Sequence, residues 1–147
     1  MSDHYQVKTW NALRGKYVNI DSKIKELLEL IWSYGIETTN SCQSNKNKIC
    51  IEFKGEKDAK NFTDRLLRAI YDGELYKETN YFNERVLGVH SGRNNWRWSV
   101  RPQEDGYIDD DTFITELPVS ILFHLSVGFP KRDYKQVVKL LREEVIN

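Results

Sequence analysis

The apolar pattern changes period twice between Asp21 and Gly73, and this constrains the fold more than any other feature of the chain. In "DSKIKELLELIWSYG", Ile24, Leu27, Leu28, Ile31 and Trp32 recur every three or four residues, the spacing that gathers side chains on one side of an α-helix. Asp21 or Ser22 can accept from the first-turn amides, and Gly35 can take the left-handed conformation that ends a helix. "KICIEF" then alternates, with Ile49, Ile51 and Phe53 on one side of a strand and Cys50 and Glu52 on the other. The β-branched start of "IETTNSCQ" and the turn residues of "SNKNK" join the two runs as a hairpin. "EKDAKNFTDRLLRAIYDG" returns to the helical period through Ala59, Phe62, Leu66, Ile70 and Tyr71. Strands joined by short turns pair antiparallel, and helices with one apolar stripe must cover a face of that sheet.

The rest of the chain extends the pattern. "KYVNI" reads as a further strand ahead of the first helix. "ERVLGVH" and "NWRWSVR" flank "SGRNN" and read as a second hairpin, between the loops "ELYKETNYFN" and "PQEDGYIDDDT". In "VSILFHLSVGF", Ile121, Phe123, Leu125, Val127 and Phe129 share one face, Leu122, His124 and Ser126 the other, and Pro130 ends the strand. "RDYKQVVKLLREEVIN" is a third helix with Tyr134, Val137, Val138, Leu141 and Val145 inward. The expected fold is one α+β domain over residues 1–147, a two-layer sandwich. Three helices lie on one face of a mainly antiparallel sheet of five or six strands. Ile24, Leu28, Ile31, Phe62, Leu66, Phe123, Leu125, Val138 and Leu141 form its predicted core.

Composition narrows the function. The chain of 147 residues carries 22 Lys plus Arg and 22 Asp plus Glu, so its net charge is zero. A dedicated nucleic-acid binder draws its affinity from a positive excess, which argues against that role for the chain as a whole. "MSDHYQVKTW" lacks a basic region followed by an apolar stretch, and Val119–Phe129 is far too short to span a bilayer. A soluble cytoplasmic protein without membrane contact is expected. Cys42 and Cys50 cannot build a tetrahedral zinc site alone, and reduced thiols are expected. His4, His90 and His124 are scattered, the run Asp109–Asp111 lacks calcium-loop spacing, and no Gly-rich phosphate loop or GxSxG occurs. No catalytic residue, metal ligand set or cofactor is therefore expected, and the chain reads as non-enzymatic.

Two stretches are candidate binding sites. In "RNNWRWSVRP", Trp96, Trp98 and Val100 alternate with Arg97, Ser99 and Arg101, which puts the apolar residues toward a core and the arginines toward solvent, with Arg93 and Arg85 adding charge. Residues 85–101 hold four arginines and no acid, while residues 102–130 hold six acids and no Lys or Arg. Complementary blocks of this kind favour pairing within the chain or across a two-fold axis. The expectation is a homodimer acting through protein contacts that include part of Arg93–Arg101 or Asp105–Asp111. The alternative is a nucleic-acid or nucleotide-binding domain using the Arg/Trp hairpin 85–101. The second stretch is the polar strand end around Ser41, Cys42 and Gln43. Nothing links a histidine to Cys42 as base, so the thiol reads as structural.

The segment "IDSKIKELLELIWSYGIETTNSCQ" resembles a pattern in small proteins of bacteriophages and large DNA viruses, where an amphipathic helix leads into G-I-x-T-x-x-S-C-Q. In those proteins an aromatic strand, here Trp96 and Trp98, precedes a stretch like "VGFPKRDYKQVVKLL". Lys- and Asn-rich composition resembles the marseillevirus kind. The resemblance implies a viral or phage-type accessory protein and carries no agreed activity, so it assigns no catalytic residue. "NSCQSN" is also similar to the S-S-C-x-G-R run of wybutosine-synthesis tRNA methyltransferases, differing at the glycine and the arginine. That second likeness implies a tRNA-modifying site at Ser41, Cys42 and Gln43.

Overall fold

β1 (Gln6–Asn11) and β2 (Lys16–Asp21) pair antiparallel, with Trp10 opposite Tyr17. Asn11 folds the turn between them: its side-chain oxygen accepts from the Leu13 and Arg14 amides at 3.0 and 3.1 Å. A 3₁₀ turn, Ser22–Ile24, leads into α1 (Lys25–Ser33), and the Asp21 carboxylate accepts from the Lys23 amide at 3.1 Å, the capping role expected of it. Gly35 ends the helix at φ 81°. β3 (Thr38–Gln43) and β4 (Lys48–Phe53) then form the expected hairpin, with one irregularity between Thr38 and Asn40. α2 (Glu56–Asp72) follows, then α3 (Phe82–Leu87), β5 (Arg97–Asp105), β6 (Ser120–Pro130), a 3₁₀ turn Lys131–Asp133 and α4 (Tyr134–Val145). This computed structural model describes residues 6–43, 47–77, 81–105 and 120–145.

The fold is α+β, with two antiparallel sheets among the described residues in place of one sheet of five or six strands. One sheet is the β1–β2 hairpin; the other has four strands in the order β3-β4-β6-β5. Among the described residues there are four α-helices in place of the expected three. The added one, α3, occupies the run "ERVLGVH" that reads as a strand in the sequence. Six helical residues make less than two turns, too few to display a 3.6-residue period, and the β-branched Val86 and Val89 around Leu87 give the run a strand-like composition. Gly88 stops the helix at φ 76° and its amide returns to the Arg85 carbonyl. The supposed second hairpin is thus a helix, a loop and an edge strand.

The register puts Ile49 opposite Phe129 and Ile51 opposite Val127, so these four side chains share a face, and all are buried. α2 packs on that face, α4 packs on α2, and α1 joins α4 to β1. Ile24, Leu28, Ile31, Phe62, Leu66, Val138 and Leu141 are buried as expected; Leu125 is only half-buried, and the Phe123 side chain lies outside the described part. Each full burial of this kind contributes roughly 1.5–3 kcal/mol. Two tyrosines fix α1 against α4. The Tyr134 hydroxyl accepts from the Leu27 amide at 3.2 Å, and the Tyr34 hydroxyl donates to the Leu141 carbonyl. Among the described residues no helix is long and apolar enough to cross a membrane.

Candidate functional site

The two stretches singled out by sequence lie at opposite edges of the four-stranded sheet. Ser41, Cys42 and Gln43 sit on β3, and Arg97, Trp98 and Arg101 on β5, with β4 and β6 between them. Three strand spacings separate the edges by roughly 14 Å, so the fold does not join them into one site. Cys42 is the register partner of Cys50, Gln43 of Ile49 and Ser41 of Ile51. Ser41 borders a crevice of about 260 Å³ between β2 and β3, lined by Asn11, Arg14, Asn19, Thr38 and Asn40 among others.

Trp96 is closed to stacking on a base, and Trp98 keeps only part of its surface exposed. Trp96 is 1% exposed, stacks on Phe129 with ring centroids 4.4 Å apart, and donates from Nε1 to Asp133 at 3.0 Å. Trp98 is half-buried and donates from Nε1 to the Val86 carbonyl at 2.7 Å. Trp96 is therefore in the core as expected, and Trp98 packs against the core only in part. Val100 departs from that pattern at 61% exposed. It lies on the edge strand opposite half-buried Leu125, where cover of the sheet fails.

Arg85, expected to add charge to the surface, is buried at 3% exposure. Its guanidinium grips Asp133 with two bonds of 2.7 and 3.2 Å and donates to the Asn94 carbonyl at 3.2 Å. Asp133, itself buried, thus receives Arg85 and the Trp96 indole together. This buried cluster ties the loop before β5 to the turn before α4. Arg101 is exposed and lies 3.5 Å from Glu52, which also accepts from Thr39 at 2.8 Å and stands 3.6 Å from His124.

Arg93 and Arg97 meet at a different place. Antiparallel pairing brings the start of β4, the end of β6 and the start of β5 to one end of the sheet, with Lys48 opposite Pro130 and Arg97 opposite Gly128. There they border a cavity of about 990 Å³ together with the first residues of α4 and the turn before α1. Lys131 and Arg132 line it from the 3₁₀ turn before α4, Lys135 from α4, Lys23 from the turn before α1, and Lys48 from β4. Seven cationic side chains therefore face this cavity, and the described lining contains no carboxylate, imidazole or thiol. The one acid in "KRDYK", Asp133, points inward to Arg85 and is neutralised there.

The electrostatics of this end are locally unfavourable. A helix start carries the positive end of the macrodipole, and a basic residue there costs rather than contributes stability. Lys131, Arg132 and Lys135 crowd the start of α4, and the preceding Pro130 supplies no side-chain cap. Local rules broken in this way concentrate at functional sites. Tyr134, also in the lining, has its hydroxyl pushed above the usual phenol value, chiefly by burial. Sequence reading found Arg93 and Arg97 and missed Lys23, Lys48, Lys131, Arg132 and Lys135. The signal that was present is "PKRDYK" at a helix start, charge set against the dipole.

No family model matches the sequence. Over 144 residues the chain is 25% identical to an uncharacterized protein of Acanthamoeba polyphaga mimivirus, a match covering 95% of this chain and 69% of that protein. This supports the likeness to a large DNA virus protein; it says nothing for the marseillevirus kind or for wybutosine-synthesis methyltransferases. No solved structure matches the chain.

Proposed function

We propose that the chain is a non-enzymatic binding domain that holds phosphate-bearing ligands in the basic cavity at the end of its sheet. The observation that carries this reading is the lining: seven cations from separate segments and no described carboxylate, in a chain whose net charge is zero. Charge-assisted hydrogen bonds from Lys and Arg to phosphate are about twice as strong as neutral ones, and a concave basic site concentrates anions. The absence of carboxylate, imidazole and thiol from the described lining fits holding a ligand better than transforming it. The reading revises the leading expectation from the sequence. It gives Arg93 and Arg97 to a ligand's phosphates instead of a second chain's acids.

Calorimetric titration with inorganic tripolyphosphate at low salt tests it. Binding is expected for the wild type, reduced at least tenfold in a Lys131→Glu, Lys135→Glu double variant, and unchanged in Lys57→Glu, an exposed α2 position outside the cavity. Equal binding by all three proteins sinks the reading. Light scattering at micromolar concentration addresses the dimer. A stable dimer dissociated by Arg93→Glu with Arg97→Glu would return those arginines to contact between chains.

A further inference from the structure

Resting on the phosphate-binding reading, we infer that the ligand is a single-stranded nucleic acid, held by its backbone across several phosphates and not read at its bases. The cations come from four separate segments: the turn before α1, the start of β4, the entry to β5, and the 3₁₀ turn leading into α4 with the first residues of α4. That spread, around a cavity of about 990 Å³, suits a row of phosphates rather than one phosphate group. Few groups are left over for base selection. Both indole N–H groups are consumed inside the fold, the Trp96 ring is stacked on Phe129, and the Tyr134 hydroxyl already accepts from Leu27. The described lining has no carboxylate, so its side-chain acceptors for a base amino group are the amides of Asn47, Asn94 and Asn95 and the Tyr134 hydroxyl. The asparagine amides at its rim are partly committed: the Asn95 side chain accepts from the His90 amide and donates to the His90 carbonyl.

The shape selects a single strand over a duplex. A duplex is stiff over about 50 nm and cannot bend into a cavity at the end of a sheet, whereas a single strand turns freely at each phosphate. Contacts made to the phosphates do not distinguish the sugars, so DNA and RNA strands are held alike.

Fluorescence anisotropy with the full chain and a labelled 20-nucleotide mixed-sequence DNA strand tests this, with the matching duplex, an RNA strand, ATP and tripolyphosphate as competitors. The strand is expected to bind with a log–log salt slope between about −2 and −5, as roughly three to seven phosphate contacts at about 0.7 each require. The duplex and ATP should compete at least tenfold more weakly, and the RNA strand within about threefold. Arg93→Glu, on an exposed loop, should weaken strand binding at least tenfold with an unchanged circular dichroism spectrum; Arg97→Ala serves as a second variant. Equal competition by ATP or by duplex overturns the single-strand inference and leaves the phosphate reading standing. Failure of every probe, tripolyphosphate included, overturns both.

Discussion

Asp133 shows how much one side chain can organise. It receives a bidentate guanidinium from 48 residues away and an indole N–H from 37 away, and all three groups are buried. Removing its charge leaves Arg85 buried without its counter-ion, so Asp133→Asn is expected to cost about 3–5 kcal/mol in urea denaturation. Nothing in the local sequence announces this pair, because neither residue breaks the pattern of its own segment. Tyr134 is a second such residue. Burial raises its pKa above the ordinary 10.0, so the folded state holds the phenolic proton more tightly than the unfolded chain does. Its contribution to stability is full below pH 10 and is lost as pH rises through the raised value. Tyr134→Phe should flatten the alkaline fall in stability above pH 10. At neutral pH it should cost about 0.5–1.5 kcal/mol, since the Leu27 amide loses its acceptor.

At the scale of elements, legibility followed length. α1, α2 and α4 each run at least nine residues, long enough for an apolar stripe to show, and the sequence located all three. The β3–β4 hairpin was equally legible, because strict alternation met a turn of Ser, Asn and Lys. Leu28→Ala, in the buried stripe of α1, is expected to cost about 2–5 kcal/mol by chemical denaturation. α3 was missed because six residues are too few to show a 3.6-residue period, and β1 because two of its inward side chains, Thr9 and Asn11, are polar. The end of α3 also holds a backbone requirement that the sequence showed only as a glycine. At Gly88 the φ is +76°, and an added Cβ would lie 3.0 Å from the Trp96 carbonyl. Gly88→Ala should therefore destabilise by about 1–2 kcal/mol from the left-handed strain alone, and more from the crowding. Gly35→Ala, with φ +81° and open space around it, should pay only the strain. Paired thermal melts of the two variants separate these effects.

For the molecule as a whole, the fold class was legible and the candidate site only half so. The cavity gathers Lys23, Lys48, Arg93, Arg97 and the start of α4, residues separated by more than a hundred positions, and only antiparallel register brings them together. β5 has a further consequence. It is the outer strand of its sheet among the described residues, and the free flank of such a strand is a template on which another chain can extend the ladder. The sequence laid along it is Arg97, Trp98, Ser99, Val100, Arg101, Pro102. Arginine charge resists the approach of a like strand, and proline offers no amide to the next ladder. Exposed Val100 stands between Arg101 and Ser99, where it would otherwise be an adhesive spot. Arg101→Val with Pro102→Val should thus leave the cavity intact yet produce concentration-dependent aggregation on mild warming, read by light scattering. The run that first suggested a surface for gripping a partner is also what keeps the wrong partner, a second copy of the same strand, from adding itself to the sheet.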